Sequence, residues 1–269
     1  MKKKLKLRVI IFLILSLCLV LIALLAPVLA PNDPYVTNSS MIRKPPGGIY
    51  PLGTDSLGRC ILSRTLYGGR ISIFSGLFLV TVSFVIGSFL GLVSGYYEGL
   101  VDNIVMRIVD IMLAFPQMVF AIAIAGILGG SLVNAMIATG LTSWTLYARL
   151  ARSYTLSIKN EAFISIAKLN RCSDYCIMRH HILPNILAPL LISAVTQIGT
   201  TLMSIAGLSF LGLGISPPTA EWGSMISEAK AHMQLSPMSV LAPAFAILLT
   251  IMIFNYLGDA FRDYMEYRI

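Results

Sequence analysis

The chain has 269 residues, of which 57% are hydrophobic and only 12% are charged. Soluble domains usually contain about 25% charged residues, so this composition excludes an ordinary soluble protein and indicates a membrane protein. The formal net charge is +8. Membrane topology accounts for that charge, as described below, without nucleic acid as a partner.

Transmembrane segments dominate the sequence pattern. A transmembrane helix needs about 20 mainly apolar residues, and uncharged stretches of this length recur along the chain. The first stretch follows a basic N-terminus, as in a signal peptide, but it is longer than the core of about 7–15 residues in such a peptide, so we expect it to remain as an anchor helix. We therefore predict an all-α membrane protein with six transmembrane helices, at residues 9–30, 72–97, 104–128, 132–150, 186–210 and 237–258.

The distribution of Lys and Arg predicts how these helices are oriented, because positively charged residues concentrate on the cytoplasmic side of a membrane. With both termini in the cytoplasm, most of the 20 Lys and Arg residues lie in or next to it. Three regions follow: a cytoplasmic tail and anchor helix (1–30), an extracytoplasmic segment (31–71), and a five-helix core (72–269) containing a cytoplasmic loop (151–185).

The extracytoplasmic segment begins with proline and glycine, which oppose regular structure, and ends in a helical pattern. Leu57, Ile61, Leu62 and Leu66 recur at helical spacing with polar residues between them. This pattern predicts an amphipathic helix lying on the membrane surface. An ordinary solvated helix fits the pattern equally well.

Two features inside the predicted spans concern helix packing and charge. Gly87, Gly91 and Gly95 lie four residues apart on one face of the second span, and small residues at this spacing let two helices approach closely. In the third span, Arg107 and Asp110 are three residues apart, so we expect them to pair on one helix face near the inner membrane interface.

Sequence patterns for catalysis are missing. The chain has no glycine-rich phosphate-binding loop with a lysine, so it should not hydrolyse ATP itself. His180, His181 and His232 fall on opposite sides of the predicted membrane, and no specific catalytic set includes them. The spans also lack the row of acids and bases expected of a proton-coupled carrier. We therefore expect a non-catalytic transport protein whose energy comes from a partner.

The most unusual polar segment is NEAFISIAKLNRCSDYCIMRHHILPN, residues 160–185. Its pattern predicts a short amphipathic helix and a bend near residues 170–172. Ser173 can cap a second helix, and Pro184 marks the approach to the next span.

Two cysteines and a histidine in this segment raise the question of a metal site. On an unbroken helix, Cys172 and His180 would be about 12 Å apart, which is too far for one zinc ion with bonds of about 2.0–2.3 Å. Cys176 and His180 alone would make only a weak two-ligand site. We therefore interpret the segment as a packing or docking surface and predict no metal site.

Several stretches together resemble one known family, the inner-membrane permease subunits of ABC importers of the peptide/nickel class. Residues 161–185 resemble the cytoplasmic EAA loop of that superfamily. Features typical of the class are LGTDSLGRCILSRTLYGGRIS at 52–72, MRIVDIMLAFP at 106–116 and GLSFLGLGISPPTAEWGSM at 207–225. The resemblance covers nearly the whole chain and implies the type I permease fold in the cell membrane of a prokaryote.

The resemblance also implies how such a chain works. The EAA loop would dock on a cytoplasmic ATPase subunit and convert ATP-driven closure into opening of the permease. The implied partners are a homologous second permease, two cytoplasmic ABC ATPase subunits, an extracytoplasmic substrate-binding protein and the lipid bilayer. No cofactor would be bound by this chain, because ATP and Mg are used by the ATPase subunits. The implied coupling residues are Glu161, Ala162, Phe163, Ala167, Asn170, Arg171, Ser173 and Pro184.

Two departures from the family pattern affect these expectations. Arg171 stands where the family usually has glycine, and arginine suits a left-handed backbone poorly, so we expect Asn170 to carry the bend. Cys60 replaces a common aspartate, and similar sequences lie toward the nickel branch. The predicted substrate is therefore nickel, free or chelated, or a small peptide. The alternatives are a di- or oligopeptide permease of the same class, and a secondary carrier or channel that works without an ATPase.

Overall fold

The computed structural model describes residues 2–266, which fold almost entirely into helices. Met1 of the predicted tail and residues 267–269 of the predicted core lie outside the described residues. The α-helices are α1 (Lys2–Leu24), α2 (Ala26–Leu29), α3 (Ile61–Tyr97), α4 (Gly99–Leu113), α5 (Gln117–Leu128), α6 (Leu132–Lys159), α7 (Ala162–Leu169), α8 (Asp174–Cys176), α9 (Leu183–Phe210), α10 (Trp222–Ala229) and α11 (Met238–Glu266). A π-helical segment, Ile177–Ile182, joins α8 to α9 without a break.

Within residues 2–266, four helical stretches are long and apolar enough to cross a membrane: α1, α3, the continuous stretch Asp174–Phe210, and α11. The pair α4 and α5 makes a fifth candidate when it is taken as one bent span. The predicted number of six spans is therefore not confirmed. The predicted fourth span corresponds to α6, which is long enough at 28 residues but less apolar, because it carries Arg149, Arg152 and Lys159.

The prediction of an uninterrupted third span at 104–128 is wrong. The chain instead breaks at residues 114–116, and the axes of α4 and α5 differ in direction by 87°. Pro116 occupies the N-cap position of α5. A proline has no N–H to continue the preceding helix and its ring disfavours a helical conformation for the residue before it, so the break occurs where the sequence places this residue.

The glycine stripe of α3 lies at a close helix contact, as predicted, and the partner helix is α6. A Cβ added to Gly91 would lie 2.2 Å from the carbonyl oxygen of Ala148, and one added to Gly87 would lie 2.2 Å from that of Trp144. At Gly95 the nearest atom is the Cβ of Thr155, at 2.8 Å. Because no side chain fits into these gaps, α3 and α6 approach backbone to backbone.

A buried charge network lies where α3 begins. The Arg59 guanidinium pairs with Asp55 at 2.6 Å and with Glu228 at 2.7 Å, and Arg64 pairs with Glu228 at 3.2 Å. Both arginine side chains are only 2% exposed. Two guanidinium groups and two carboxylates balance in charge, which makes their burial tolerable.

This network corrects the prediction of a separate amphipathic helix at the membrane surface. Residues 61–66 form the first turns of α3 rather than a surface helix, and Ile61 is fully buried. The polar positions that suggested a solvated face hold the buried Arg59 and Arg64. A charged side chain looks the same in sequence whether it faces water or a buried partner.

Helix α10 completes this end of the bundle. The Glu221 carboxylate caps α10 by accepting hydrogen bonds from the backbone N–H groups of Gly223 (2.9 Å) and Ser224 (2.8 Å). The Trp222 indole donates to the carbonyl of Thr65 at 2.9 Å. The stretches 52–72 and 207–225, far apart in sequence, thus form one packed unit at the end of the bundle opposite residues 160–182.

Candidate coupling loop and membrane cavity

The segment 160–182, which we call the 160–182 loop, contains the helix predicted to couple to a partner. In α7, Ile164 is fully buried and Ala167 is 5% exposed, and both join a core cluster with Leu92 and Ile186. The helix is therefore anchored to the bundle by one apolar face.

The opposite face of α7 is also apolar but points away from the bundle. Phe163 is 41% exposed, Ile166 is 56% exposed and Leu169 is 82% exposed. Glu161 at the N-cap position and Ala162 in the first turn are exposed as well. The structure thus corrects the placement of Ala167, which lies on the anchored face instead of the exposed one. An alanine at helical spacing fits either face, so the sequence alone could not assign it.

The bend after α7 is formed by Arg171, and the expectation that Asn170 forms it is wrong. Arg171 has φ 58°, in the left-handed region, whereas Asn170 has φ −76°. The Cys172 N–H donates to the carbonyl of Ala167 (3.1 Å), and the Arg171 N–H donates to that of Lys168 (3.0 Å). These two bonds define a Schellman motif, which requires its left-handed residue at the position of Arg171. Arg171 therefore adopts the conformation that glycine would otherwise supply.

The second helix begins as predicted. The Ser173 side chain accepts a hydrogen bond from the Cys176 N–H at 3.3 Å and caps α8. The Tyr96 hydroxyl donates to the carboxylate of the adjacent Asp174 at 2.6 Å, which ties the loop to the end of α3. Pro184, exposed in the first turn of α9, follows the π-helical segment. The π-helical turn itself was not predicted.

Long-range ion pairs hold the helices next to the loop, and sequence reasoning missed them. The Arg152 guanidinium binds the Asp102 carboxylate through two hydrogen bonds of 2.5 and 2.6 Å. The Ser94 hydroxyl donates to the same carboxylate at 2.5 Å. Lys159 bonds to Glu98 at 2.7 Å. These pairs join α3, α4 and α6 across 50 or more positions, a separation that local spacing does not reveal.

The predicted interfacial pair of Arg107 and Asp110 is wrong. The Asp110 carboxylate bonds to Arg149 of α6 at 2.7 Å, with both side chains more than half exposed. Among the described residues, Asp110 is thus paired across two helices and not within α4. The three-residue spacing allowed the local pair, but the packing of α4 beside α6 supplies a different arginine.

A cavity of about 350 Å³ lies beside the break between α4 and α5. It is lined by Pro116 and Gln117 from the break, by Ser143 from α6 and by Gln197 from α9. The Gln117 amide donates to the Ser143 hydroxyl at 3.2 Å. The described residues that line the cavity are either apolar or polar without a charge. Glutamines inside apolar stretches were the available sequence signal for this cavity.

One group of side chains in the loop could hold a metal ion. The ligand atoms of Cys172, Cys176 and His181 all lie within 4.8 Å of one another. His180, the histidine considered as a ligand on an unbroken helix, is exposed and lies outside this group.

The fold can be compared with solved structures. A chain from a structure described as "Inward facing conformations of the MetNI methionine ABC transporter" matches with a TM-score of 0.55 at 16% identity, covering 72% of this chain and 94% of that chain. The two chains therefore share the same fold. The family model described as "Binding-protein-dependent transport system inner membrane component" matches residues 87–269. The chain belongs to this family and is a multi-pass inner-membrane protein.

Similar proteins with known names narrow the class further. The dipeptide transport system permease protein of Alkalihalophilus pseudofirmus is 42% identical over 264 residues, covering 98% of this chain and 86% of the relative. The dipeptide permease of Haemophilus influenzae is 42% identical over 260 residues, covering 94% and 88%. The glutathione transport system permease protein of Pectobacterium atrosepticum is 41% identical over 251 residues, covering 93% and 83%.

A second family model supports the same assignment. The model described as "N-terminal TM domain of oligopeptide transport permease C" matches residues 6–46. The resemblance to permeases of the peptide/nickel class is confirmed, and with it the ABC importer permease fold. Dipeptides and glutathione are the substrates named for these three relatives, and nickel is named for none of them.

Proposed function

We propose that this chain is the permease subunit through which an ATP-driven importer moves small peptides into the cell by alternating access. The 160–182 loop faces the cytoplasm, and α7 docks on one of two ATPase subunits that hydrolyse ATP with Mg. The chain itself is not catalytic. It works with a homologous second permease and with an extracytoplasmic binding protein that delivers the peptide.

The observation that carries this proposal is the exposed apolar face of α7. Phe163, Ile166 and Leu169 are presented by a helix whose other face is held in the core cluster. Burying a large apolar side chain in a partner contributes about 1.5–3 kcal/mol, so this small face can anchor a docked subunit. Glu161 beside it adds a charge at the edge of the contact.

The same geometry allows motion of the docked subunit to reach the spans. Helix α7 is fixed to the bundle through Ile164 and Ala167. The loop is fixed to α3 through the hydrogen bond between Tyr96 and Asp174, and it runs into α9 as one continuous helix. A rigid connection of this kind transmits displacement, because packed elements shift as units and do not deform smoothly.

Docking can be tested with Phe163→Ala and Glu161→Lys in the assembled transporter. We expect both variants to insert normally but to retain less ATPase subunit on co-purification. Ile127→Ala, an exposed apolar position on α5, is the matched control and should retain the ATPases. Normal co-purification with both loop variants would refute the coupling role.

The substrate we propose is a di- or oligopeptide, and this alternative is better supported than nickel. The relatives named above are dipeptide and glutathione permeases. The cavity beside Pro116 offers the neutral hydrogen-bonding groups of Gln117, Ser143 and Gln197. Such groups suit the amide groups of a peptide, whereas a nickel ion is bound best by imidazole or other strong donors.

Uptake by the complete transporter distinguishes the two substrates. We expect vesicles with the full complex, binding protein and ATP to accumulate a radiolabelled dipeptide, and Gln197→Leu to reduce its rate. Accumulation of labelled nickel without any peptide present would refute the peptide proposal. Uptake by this chain without an ATPase would instead support a secondary carrier or channel.

A further inference from the structure

The Cys172, Cys176 and His181 side chains form a compact group of metal-binding atoms in the 160–182 loop. Their sulfur and nitrogen atoms lie within 4.8 Å of one another, and all three residues are partly exposed. None of the three takes part in the docking face or the cavity described above. The group therefore calls for its own explanation.

The local backbone brings the three residues together in two steps. The Schellman motif at Arg171 turns the chain back, so that the Cys172 N–H bonds to Ala167 and the Cys172 side chain returns toward the following helix. In the π-helical segment, the Leu183 N–H bonds to the carbonyl of Met178, five residues earlier. Residues five apart thus lie near each other there, whereas on an α-helix they would differ by about 140°.

This spacing explains why His181, and not His180, joins Cys176. An α-helix would have placed the residue four positions after Cys176 above it, and that residue is His180. The π-helical turn moves the alignment one residue further. The distance of about 12 Å between Cys172 and His180 applies to an unbroken helix and does not concern Cys172, Cys176 and His181.

We propose that Cys172, Cys176 and His181 bind a zinc ion. In a tetrahedral zinc site with bonds of about 2.3 Å to sulfur and 2.0–2.1 Å to nitrogen, ligand atoms are about 3.5–3.8 Å apart. The ligand atoms of the observed group lie within 4.8 Å of one another, so each would have to move by about 1 Å or less to reach this spacing. A water molecule would complete the fourth position, because all three residues are partly exposed.

The chemistry of the ligands favours zinc. Two thiols and an imidazole are soft and intermediate donors, which suit zinc better than magnesium or calcium. On binding, each thiol loses its proton to solvent and the imidazole binds in its neutral form. Two thiolates then balance the charge of the zinc ion, so the site adds no net charge to the loop.

Zinc at this position would join the bend after α7 to the helix that leads into α9. Cys172 lies directly after the left-handed Arg171, whereas Cys176 and His181 belong to the continuous stretch Asp174–Phe210. The metal would thus restrict how α7 moves relative to that span. This role concerns the rigidity of the loop and does not depend on which substrate the permease carries.

Zinc binding can be measured on the purified full-length chain in detergent, in the presence of a non-thiol reductant. We expect one zinc ion per chain by elemental analysis, and cobalt(II) added in its place should give thiolate-to-metal charge-transfer absorption. Cys172→Ser, Cys176→Ser and His181→Ala should each weaken zinc binding by at least about 100-fold, since changing a residue that only orients a ligand already costs about 10- to 100-fold.

Matched controls separate this site from general surface binding. His180→Ala changes a neighbouring histidine outside the group, and Cys60→Ser removes a buried cysteine at the opposite end of the bundle. Both should bind zinc normally. Equal loss in His180→Ala and His181→Ala, or zinc retained by the double variant C172S/C176S, would overturn the proposal. Gel filtration and circular dichroism show whether a variant has lost zinc only because it is misfolded, and a folded variant is then required for the comparison.

Discussion

The close contact between α3 and α6 predicts a graded response to adding a single methyl group. The change is glycine to alanine at three helical positions: Gly91 of α3, Gly140 of α6 and Gly126 of α5. The new Cβ would lie 2.2 Å from a backbone oxygen at Gly91, 2.9 Å from the tip of the Leu79 side chain at Gly140, and more than 4 Å from any neighbour at Gly126. The chemical change is identical, so only the surroundings differ.

The magnitude follows from these distances. Ordinary contacts begin at 3.4 Å, so alanine at 91 forces the α3 and α6 backbones apart by about 1 Å. A gap of about 0.5–1 Å already forfeits a quarter to a half of the dispersion energy of each affected contact, and overpacking a core typically costs about 1–3 kcal/mol. We expect about 3 kcal/mol at Gly91, about 1 kcal/mol at Gly140, where the Leu79 side chain can rotate, and no loss at Gly126.

The assay is unfolding in detergent micelles, followed by circular dichroism with the three variants in parallel. At about 1.4 kcal/mol per tenfold change, the Gly91 variant should shift its unfolding equilibrium by about 100-fold. The Gly126 variant should equal the parent chain or be slightly more stable, because alanine favours a helix over glycine. Equal destabilisation at Gly91 and Gly126 would refute the backbone contact between α3 and α6.

Three further changes test the ion pairs and the bend. Glu228→Gln leaves two buried guanidinium groups with one carboxylate. It should lower stability by about 3 kcal/mol, the lower end for breaking a buried pair, because the Glu228 side chain is 22% exposed. In a thermal melt, the double variant R64M/E228Q should recover part of this loss. Asp102→Asn removes a charged acceptor and should cost about 1.5–3 kcal/mol, with faster hydrogen exchange at the start of α4. Arg171→Gly relieves a left-handed backbone conformation that costs about 1–2 kcal/mol. Glycine adds an entropy cost of about 0.5–1 kcal/mol, which does not exceed that gain. The melting temperature of this variant should therefore not fall, whereas Asn170→Gly should lower the melting temperature.

The parts of the structure that could be predicted are those governed by neighbours in sequence. Ser173 lies three residues before the N–H that it caps, and the glycines of α3 lie one helical turn apart. The order of helix, bend and helix in the 160–182 loop follows from the same local rules. In each case the residues that determine the structure lie within a few positions of one another.

The parts that could not be predicted depend on which elements meet in space. Asp110 had an acceptable partner in Arg107, and only the position of α6 shows that Arg149 is closer. Arg59 and Arg64 looked solvated because their carboxylate partner Glu228 is more than 160 residues away. An ion pair forms only between two residues that are close in space, and a single sequence shows their separation along the chain but not their distance in space.

Two prolines explain one wrong prediction and one that was partly right. The prediction missed the break at Pro116, whereas it placed Pro184 correctly at the approach to a span but missed the π-helical turn there. Both lack the N–H that an α-helix needs, and the ring of each would press on the carbonyl four residues earlier. At Pro116 the helix breaks between α4 and α5, and this break opens the cavity beside α6 and α9. At Pro184 it widens into the π-helical segment, and the Asn185 side chain donates to the His181 carbonyl at 2.6 Å.

The second response has two consequences that a break would not have. A widened turn keeps Asp174–Phe210 continuous, so α7 stays attached to a long span through a rigid element, as coupling to a docked subunit requires. The same widening brings His181 beside Cys176. Mechanical continuity and the group of metal-binding atoms thus arise from a single adjustment of the backbone next to one proline. For this reason we expect zinc at this position to stiffen the connection through which the loop would act on α9, without occupying the docking face of α7.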